Sequence, residues 1–281
     1  MSSPIAQSFV QRLLRSGVAL FALAILTSMV VLTLAAGPLA GAQALEIDPI
    51  NRLTAPSAAH WFGTDHLGRD MLGLVLHGGR TTLAVGLVVT TLAMAVAVLL
   101  GLVAGFFRRV DAVLMRVVDG VMSFPGIVLA TAAAGYMGPS VRTVILALTL
   151  VLIAPALRVV RGQVLVVREL PMIESARAVG VPATRLLAHY VFPAVLSPVL
   201  VQASFVFSAA VLGEAALSFI GLGIGARDVS WGSALAEARN YIHDAWWIVV
   251  FPGLALVLTI LALNLLGDAL RDLLDPKLRA R

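Results

Sequence analysis

Few residues of this chain could do covalent or metal chemistry. Its only lysine is Lys277, which follows Pro276, so the chain has no Gly-x-x-x-x-Gly-Lys-[Ser/Thr] loop that would cradle nucleotide phosphates. The absence of cysteine excludes disulfides and thiolate metal ligands, and the 5 histidines show no metal-ligand spacing. The sequence therefore predicts no catalytic residue, no metal site and no bound cofactor in the chain itself.

The most informative short segment runs from Glu174 to Gly180 and reads Glu-Ser-Ala-Arg-Ala-Val-Gly. It is amphipathic and charged, although it lies between two long apolar segments. Gly180 suits the left-handed end of one helix, and Pro182 suits the first turn of the next. The segment therefore predicts two short helices that form an elbow along a membrane surface. An ordinary solvated loop is the alternative, and composition alone favours neither.

Glu214 is the one acidic residue that lies deep in an apolar segment, one or two helical turns from its outer end. A charge at the centre of a bilayer costs roughly 2.5 to 3.5 kcal/mol on insertion scales, so such residues usually have a task. Together with Ser218 and Phe219, Glu214 is a candidate for lining or gating a pathway. The alternative is a packing hydrogen bond to a neighbouring subunit. One carboxylate gives little support to proton-coupled transport.

The composition places these residues in a membrane protein. Hydrophobic residues make up 60% of the 281 and charged residues 12%, which leaves too little polar surface for a soluble domain. A helix needs roughly 20 apolar residues to cross a bilayer. The first such segment is too long for a typical cleaved signal. Six spans are predicted, over residues 17–36, 81–107, 120–141, 143–161, 193–222 and 245–267.

The distribution of arginine and lysine predicts the orientation of these spans. With a cytoplasmic N-terminus, fourteen of the 20 basic residues fall on the cytoplasmic side and six fall outside, which agrees with the positive-inside rule. Both termini and the Glu174 segment are then cytoplasmic. Residues 43–79, which are too polar to span, lie outside. The basic pI reflects this topology rather than nucleic-acid binding.

The Glu174 segment resembles the EAA loop of binding-protein-dependent ABC importer permeases, whose coupling helix docks on an ATPase. The resemblance rests on the Glu-x-Ala start, the later glycine and the proline that follows. It implies a role in ATPase coupling for Glu174, Ser175, Ala176, Arg177, Ala178, Gly180, Arg185 and Pro193.

The segment departs from the family pattern at several positions. Ser175 replaces the second residue of the triplet, and Ala194 follows Pro193 where the family usually has asparagine. His189 and Tyr190 stand where a basic residue and then histidine are usual. None of these changes removes the predicted elbow, but the loss of a basic residue could alter the matching face of the partner.

Further motifs narrow the resemblance to the C-type subunit of the dipeptide/oligopeptide/nickel permeases. They are Gly-Thr-Asp-His-Leu-Gly-Arg-Asp over 63–70, Glu-Ala-Ala-Leu-Ser-Phe-Ile-Gly-Leu-Gly over 214–223, Ser-Trp-Gly-Ser over 230–233, and the ending over 264–276. By this resemblance the following residues are structural markers of the family: Gly63, Thr64, Asp65, Gly68, Arg69, Asp70, Trp231, Gly232, Asn264 and Asp268.

The resemblance implies an all-α integral membrane protein with six transmembrane helices, in the type I ABC importer (MetI-like) permease fold with a cytoplasmic EAA coupling helix. Residues 1–42 would form the N-terminal segment and first helix, and 43–79 an extracytoplasmic loop with short interfacial helices. Residues 80–281 would form the permease core, which includes the coupling loop at 163–192 and a cytoplasmic tail at 268–281.

The expected partners also follow from the resemblance. They are a homologous B-type permease subunit, two ABC ATPase domains that carry ATP and Mg²⁺, an extracytoplasmic substrate-binding protein and the lipid of the bacterial inner membrane. Peptides are the leading substrate class, with nickel, haem or glutathione as alternatives. Two other functions remain open at this point: an ion-coupled secondary carrier, and a membrane scaffold that docks a cytoplasmic enzyme.

Overall fold

The computed structural model describes residues 16–225 and 228–274, and every regular element within them is helical. The long helices are α1 (Gly17–Leu34), α3 (Met71–Phe106), α6 (Val141–Arg168), α9 (Phe192–Phe219) and α11 (Trp247–Leu274). The shorter ones are α2 (Ala36–Ala40), α4 (Arg108–Met122), α5 (Gly126–Met137), α7 (Pro171–Ala178), α8 (Ala183–Leu186) and α10 (Trp231–Ala238). Two 3-10 turns lie between α2 and α3, and a π-helical turn, Leu187–Val191, joins α8 to α9.

Within the described residues, five helices are long and apolar enough to cross a membrane, which confirms an all-α membrane protein. They are α1, α3, α6, α11, and α9 extended back through the π-helical turn and α8 as one helix of 37 residues. A sixth span is obtained when α4 and α5 are counted together as one bent element. The predicted six-span architecture therefore consists of five continuous helices and one broken one.

The third predicted span, residues 120–141, is not a straight helix. The axes of α4 and α5 differ by 82°, because the chain bends at Pro125, which lacks the N–H that a continuing helix needs. α5 has 12 residues and is therefore about 18 Å long, too short to cross a bilayer of about 30 Å alone. The lack of charge over this stretch indicates its apolar character, and the proline within it is the residue that indicates a bend.

The structure also shifts three predicted boundaries. α3 begins at Met71, so residues 71–79 are helical rather than part of the loop predicted over 43–79. α6 continues to Arg168, which makes 163–168 helical rather than part of the coupling loop. α11 continues to Leu274, so the predicted tail begins as helix, and 275–281 lie outside the described residues. A helix satisfies its own backbone hydrogen bonds and can extend past the apolar layer into polar surroundings.

α3 is the central helix of the bundle. It packs along α6, α9 and α1, while α11 packs against α9 and α1. Small side chains allow the close approach of these helices, as is usual between membrane helices. Ala93 and Ala97 of α3 and Ala156 of α6 are all fully buried in one apolar cluster, which also contains Ile173 of α7. The core therefore reaches from the middle of the bundle to α7.

The two ends of the bundle differ. One end carries residues 41–70 between α2 and α3, which we name the α2–α3 loop. We call this end of the bundle the loop end. The opposite end carries α7 and α8, which together form the elbow, and we call it the elbow end. α3 has 36 residues and is about 54 Å long, enough to connect both ends across a bilayer.

Candidate functional site

The elbow forms for local reasons. Pro171 is the first residue of α7, where its missing N–H is no loss. Gly180 ends the helix at a φ of +84°, its N–H donates to the Arg177 carbonyl at 3.0 Å, and the Val181 N–H donates to the Ala176 carbonyl at 3.1 Å. This pair of bonds is the Schellman arrangement, which satisfies the last carbonyls of a helix. The two helices predicted from Gly180 and Pro182 are thus present as α7 and α8.

One side chain of α7 is buried in the core. Ile173 is fully buried, whereas the other residues of α7 are exposed, apart from the half-buried Ala176. Two apolar side chains at the exposed surface of the elbow are also accessible to solvent, Met172 at 53% and Val179 at 81%. The predicted coupling residues accordingly lie on an outward surface: Glu174, Ser175, Arg177, Ala178, Gly180, Arg185 and Pro193 are all exposed.

Two arginine side chains lie where α3, α6 and the elbow meet. The guanidinium of Arg177 lies 5.3 Å from the centre of the Phe106 ring, a cation–π contact. Arg168 donates from Nη1 to the Gly105 carbonyl at 2.7 Å and from Nε to Glu169 at 2.9 Å. A cavity of about 370 Å³ lies here and is lined by Phe106, Arg108, Arg168, Glu169, Glu174 and Arg177. The elbow therefore contacts the end of α3, which Arg168 in turn bonds to the end of α6.

Sequence reasoning missed the charges that hold α4 to α6. Arg161 of α6 makes a two-point ion pair with Asp111 of α4, in which Nη2 lies 2.7 Å from Oδ2. Arg158 pairs with Asp119 at 2.6 Å. The spacing of the two aspartates, eight residues apart, places them on one face of a helix and was the available signal. Two ion pairs at the elbow end therefore hold α4 against α6.

Glu214 lies fully buried inside its own chain. Its Oε1 accepts hydrogen bonds from the hydroxyls of Ser218 and Ser230, each at 2.7 Å, and its Oε2 accepts one from Thr82 at 3.3 Å. These hydroxyls belong to α9, to the residue that precedes α10, and to α3. A buried charge without such donors would be strongly destabilising. The carboxylate therefore joins three elements near the loop end.

The start of α10 is fixed at the same place. Ser230 caps α10 with its side chain. The backbone N–H of Trp231 donates to the Thr82 hydroxyl at 3.1 Å, and its indole N–H donates to the Val75 carbonyl at 2.8 Å. Gly232 is buried, and a Cβ there would lie 2.6 Å from the backbone of α9. The Ser-Trp-Gly-Ser motif thus packs the start of α10 against α3 and α9.

The roles considered for Glu214 from the sequence both need an accessible carboxylate, and in this structure the carboxylate is enclosed. Ser218 is enclosed with it, at 5% exposure. Phe219 is different, since it is 48% exposed and the Arg239 guanidinium lies 6.0 Å from its ring centre. Ser230 stands in a recognised motif, but nothing in the sequence indicates Thr82 as a partner of Glu214.

Two of the family-marker residues of the α2–α3 loop, Asp65 and Arg69, form a network of hydrogen bonds and ion pairs. Asp65 accepts the backbone N–H groups of Leu67 and Arg69, each at 2.8 Å, and its Oδ2 lies 2.6 Å from Nε of Arg69. Arg69 also forms an ion pair with Glu237 of α10. Although burial opposes its charge, the carboxylates of Asp65 and Glu237 hold the pKa of the Arg69 guanidinium above its ordinary value.

One group in the described part of the chain has the spacing of metal ligands. Ligand atoms of Asp65, His66 and Glu237 lie within 4.8 Å of one another. The guanidinium of Arg69 contacts both carboxylates and supplies the positive charge that a metal ion would bring. The His66 ring stacks on Tyr241 with centres 5.0 Å apart. The group is therefore a structural ion-pair cluster.

The remaining markers fix the start of α3 and the course of α11. Asp70 caps α3 by accepting the N–H groups of Leu72 at 2.9 Å and Gly73 at 3.2 Å. The Thr64 carbonyl accepts the indole N–H of Trp247 at 3.0 Å. Gly63 and Gly68 have φ values of +74° and +83° in the same loop. In the last part of α11, Asn264 is half-buried and Asp268 exposed.

Comparison with known proteins identifies the family. Residues 97–280 match the family of binding-protein-dependent transport system inner membrane components. A dipeptide transport system permease protein of Alkalihalophilus pseudofirmus is 39% identical over 279 residues, which cover 99% of this chain and 91% of that protein. A probable D,D-dipeptide transport system permease protein of Escherichia coli is 43% identical over 232 residues, 82% of this chain and 78% of that protein.

A third relative, a putative peptide transport system permease protein of Brucella suis, is 43% identical over 228 residues, which cover 81% of this chain and 77% of that protein. The family match over residues 97–280 includes the elbow, Glu214 with Ser218, and the Ser-Trp-Gly-Ser motif. The chain therefore belongs to the family of binding-protein-dependent transport system inner membrane components, the permease subunits of ABC importers.

Proposed function

We propose that this chain is one of two homologous transmembrane subunits of an ATP-driven importer of di- or oligopeptides. A B-type partner would complete the pathway, two ABC ATPase domains would bind ATP and Mg²⁺ on the cytoplasmic side, and a substrate-binding protein would deliver the peptide from outside. The names of two relatives, a dipeptide and a D,D-dipeptide permease, support peptides as the substrate class. The inner membrane would hold the chain with both termini in the cytoplasm.

The observation that carries this proposal is the outward face of α7. Met172 of α7 and Val179, which directly follows α7, are exposed at 53% and 81%, and neighbouring exposed apolar side chains favour contact with a partner. Ser175 lies on the same exposed helix, where a small side chain permits close approach. The elbow continues into the 37-residue helix that ends at Phe219. When ATP draws the ATPase domains together, the elbows would follow, and the attached spans would open the pathway outward.

Charge reversal in the elbow tests this coupling. With Glu174→Lys we expect the amount of ATPase subunit that co-purifies with the chain, and ATP-driven peptide uptake, to fall by at least about tenfold, because like charges brought together at an interface cost several kcal/mol. The measurement uses the chain expressed with the products of its neighbouring genes and reconstituted in liposomes. Glu46→Lys is the matched control, since it makes the same change at an exposed glutamate of the loop end and should leave ATPase binding unchanged.

Three outcomes would contradict the proposal in different ways. Uptake that stops with an uncoupler while ATP is intact would indicate an ion-coupled carrier. Loss of a bound enzyme without any measurable uptake, even in the unaltered complex, would indicate a scaffold. Unchanged ATPase binding and uptake in Glu174→Lys would show that α7 is not the coupling helix.

Because the chain has no cysteine, single cysteines can report its orientation. Ala58 lies exposed in the α2–α3 loop and Thr184 lies exposed in α8, at opposite ends of the bundle. In intact cells we expect a membrane-impermeant maleimide to label Ala58→Cys and to leave Thr184→Cys unlabelled until the cells are lysed. The reverse pattern would place the elbow outside and would refute the proposed topology.

A further inference from the structure

We infer that Glu214 is a positioning residue that fixes α10 to the outer end of α9 and thereby couples the loop end of the subunit to the elbow. This inference rests on the proposed function, because it concerns how an extracytoplasmic binding protein would influence ATP hydrolysis. The roles considered from the sequence, a pathway lining and a subunit contact, do not include it. The observations that carry it are the burial of the carboxylate and the origin of its three hydrogen-bond donors.

α10 is held at both of its ends by a carboxylate. At its start, Ser230 donates its hydroxyl to Glu214 at 2.7 Å. At its other end, Glu237 pairs with Arg69 of the α2–α3 loop, and Arg69 is in turn fixed by Asp65. α10 is therefore a strut between the bundle and the α2–α3 loop, and both of its attachments depend on named side chains.

α10, the strut, contacts the bundle at α9, the helix that is continuous with the elbow. Glu214 lies five residues before the last residue of α9, Phe219, and the same continuous helix begins in the elbow at Ala183. A displacement of the elbow by the ATPase would therefore move Glu214, and Glu214 would move α10 and the loop attached to it. Coupling between two sites is reciprocal, so contact of a binding protein at the loop end would bias the elbow by the same free energy.

The hydrogen bonds of Glu214 allow a substitution that removes its charge and keeps its hydrogen-bond partners. The donors to Glu214 are hydroxyl groups of Thr82, Ser218 and Ser230, and in the described residues no arginine, lysine or histidine forms an ion pair with it. Glutamine can accept the two serine hydroxyls through its carbonyl oxygen and donate its amide to the Thr82 hydroxyl. Glu214→Gln should thus keep the geometry, whereas Glu214→Ala leaves three hydroxyls without their acceptor.

The test uses the complete complex in liposomes, with both permease subunits, the ATPase subunits and the peptide-loaded binding protein. The quantity measured is the ratio of ATPase rates with and without the binding protein. We expect Glu214→Ala to lower this ratio by about fivefold or more, the lower end of typical coupling strengths, while the rate without binding protein stays within about twofold of the unaltered complex. Glu214→Gln should retain most of the stimulation.

A second variant keeps the inference testable if Glu214→Ala does not fold. Glu237→Gln alters the far end of α10 at a side chain that is 44% exposed, and leaves the Glu214 cluster intact. It should lower the same ratio. An equal fall in both ATPase rates would indicate a merely structural role, and an unchanged ratio in both variants would remove the coupling role; either result overturns the inference. If the unaltered complex shows no ATP-driven uptake at all, the proposed function fails instead.

Discussion

Replacement of Gly68 by alanine is expected to destabilise the folded protein and to reduce the yield of correctly folded chain. The backbone at Gly68 has a φ of +83°, and a Cβ there would lie 1.8 Å from the carbonyl oxygen of Asp48 and 2.6 Å from its carbonyl carbon. Backbone atoms cannot turn aside as a side chain can, and Asp48 is held in place by its N–H bond to Leu67 at 3.1 Å. The α2–α3 loop must therefore open.

The expected loss at Gly68 combines two costs. Left-handed backbone in a residue with a Cβ costs about 1 to 2 kcal/mol, and overpacking adds about 1 to 3 kcal/mol. The purified Gly68→Ala protein should accordingly unfold about 5 to 15 °C below the unaltered chain, as measured by intrinsic fluorescence in detergent, with a smaller fraction eluting as a single species on size exclusion.

Gly180 offers a matched control for this prediction. Its φ of +84° is almost the same, but no atom beyond its chain neighbours lies within 4 Å of an added Cβ. Gly180→Ala therefore carries the backbone cost without the overlap and should lower the unfolding temperature by less than half as much. Equal losses at the two positions would show that backbone strain alone is responsible. No loss at Gly68 would mean that the loop does not pack on Asp48 as described.

The elbow could be predicted from the sequence because its determinants are local. Gly180 and Pro182 fix the end of one helix and the start of the next, and the structure has α7 and α8 there. The bend at Pro125 has an equally local cause, but charge counting treats residues 120–141 as one apolar run. Hydropathy reports composition and gives no backbone direction, so it locates the third apolar segment but not the 82° bend within that span.

The surroundings of Glu214 could not be predicted for a different reason. Its position in an apolar helix is evident from the sequence, but its partners are non-local, since Thr82 is 132 residues away along the chain. Which faces of α3 and α9 meet depends on the packing of the whole bundle. For the same reason the pairing of Arg69 with Glu237, 168 residues apart, was not foreseen, although Arg69 itself belonged to a recognised motif.

Valine at Gly180 is expected to reduce ATP-driven peptide uptake by at least about tenfold. A β-branched residue at a φ of +84° is strongly disfavoured, and the ordinary cost of a left-handed residue, about 1 to 2 kcal/mol, already corresponds to roughly a tenfold change in population. The chain would relax by unwinding the end of α7, which turns the exposed face of the elbow away from its partner. Peptide uptake into liposomes and the recovery of bound ATPase subunit are the measurements.

Asparagine at the same position separates backbone conformation from side-chain size. Asparagine adopts the left-handed region far more readily than valine, and Gly180 has open space around it, so Gly180→Asn should keep uptake within about threefold of the unaltered complex. Both variants should still fold, because Ile173 keeps α7 on the core in each, and Gly180→Val should unfold at the lower temperature of the two because it carries the larger backbone cost. If valine and asparagine impair uptake equally, close contact of Gly180 with the ATPase, rather than its backbone conformation, would be the reason that glycine is required.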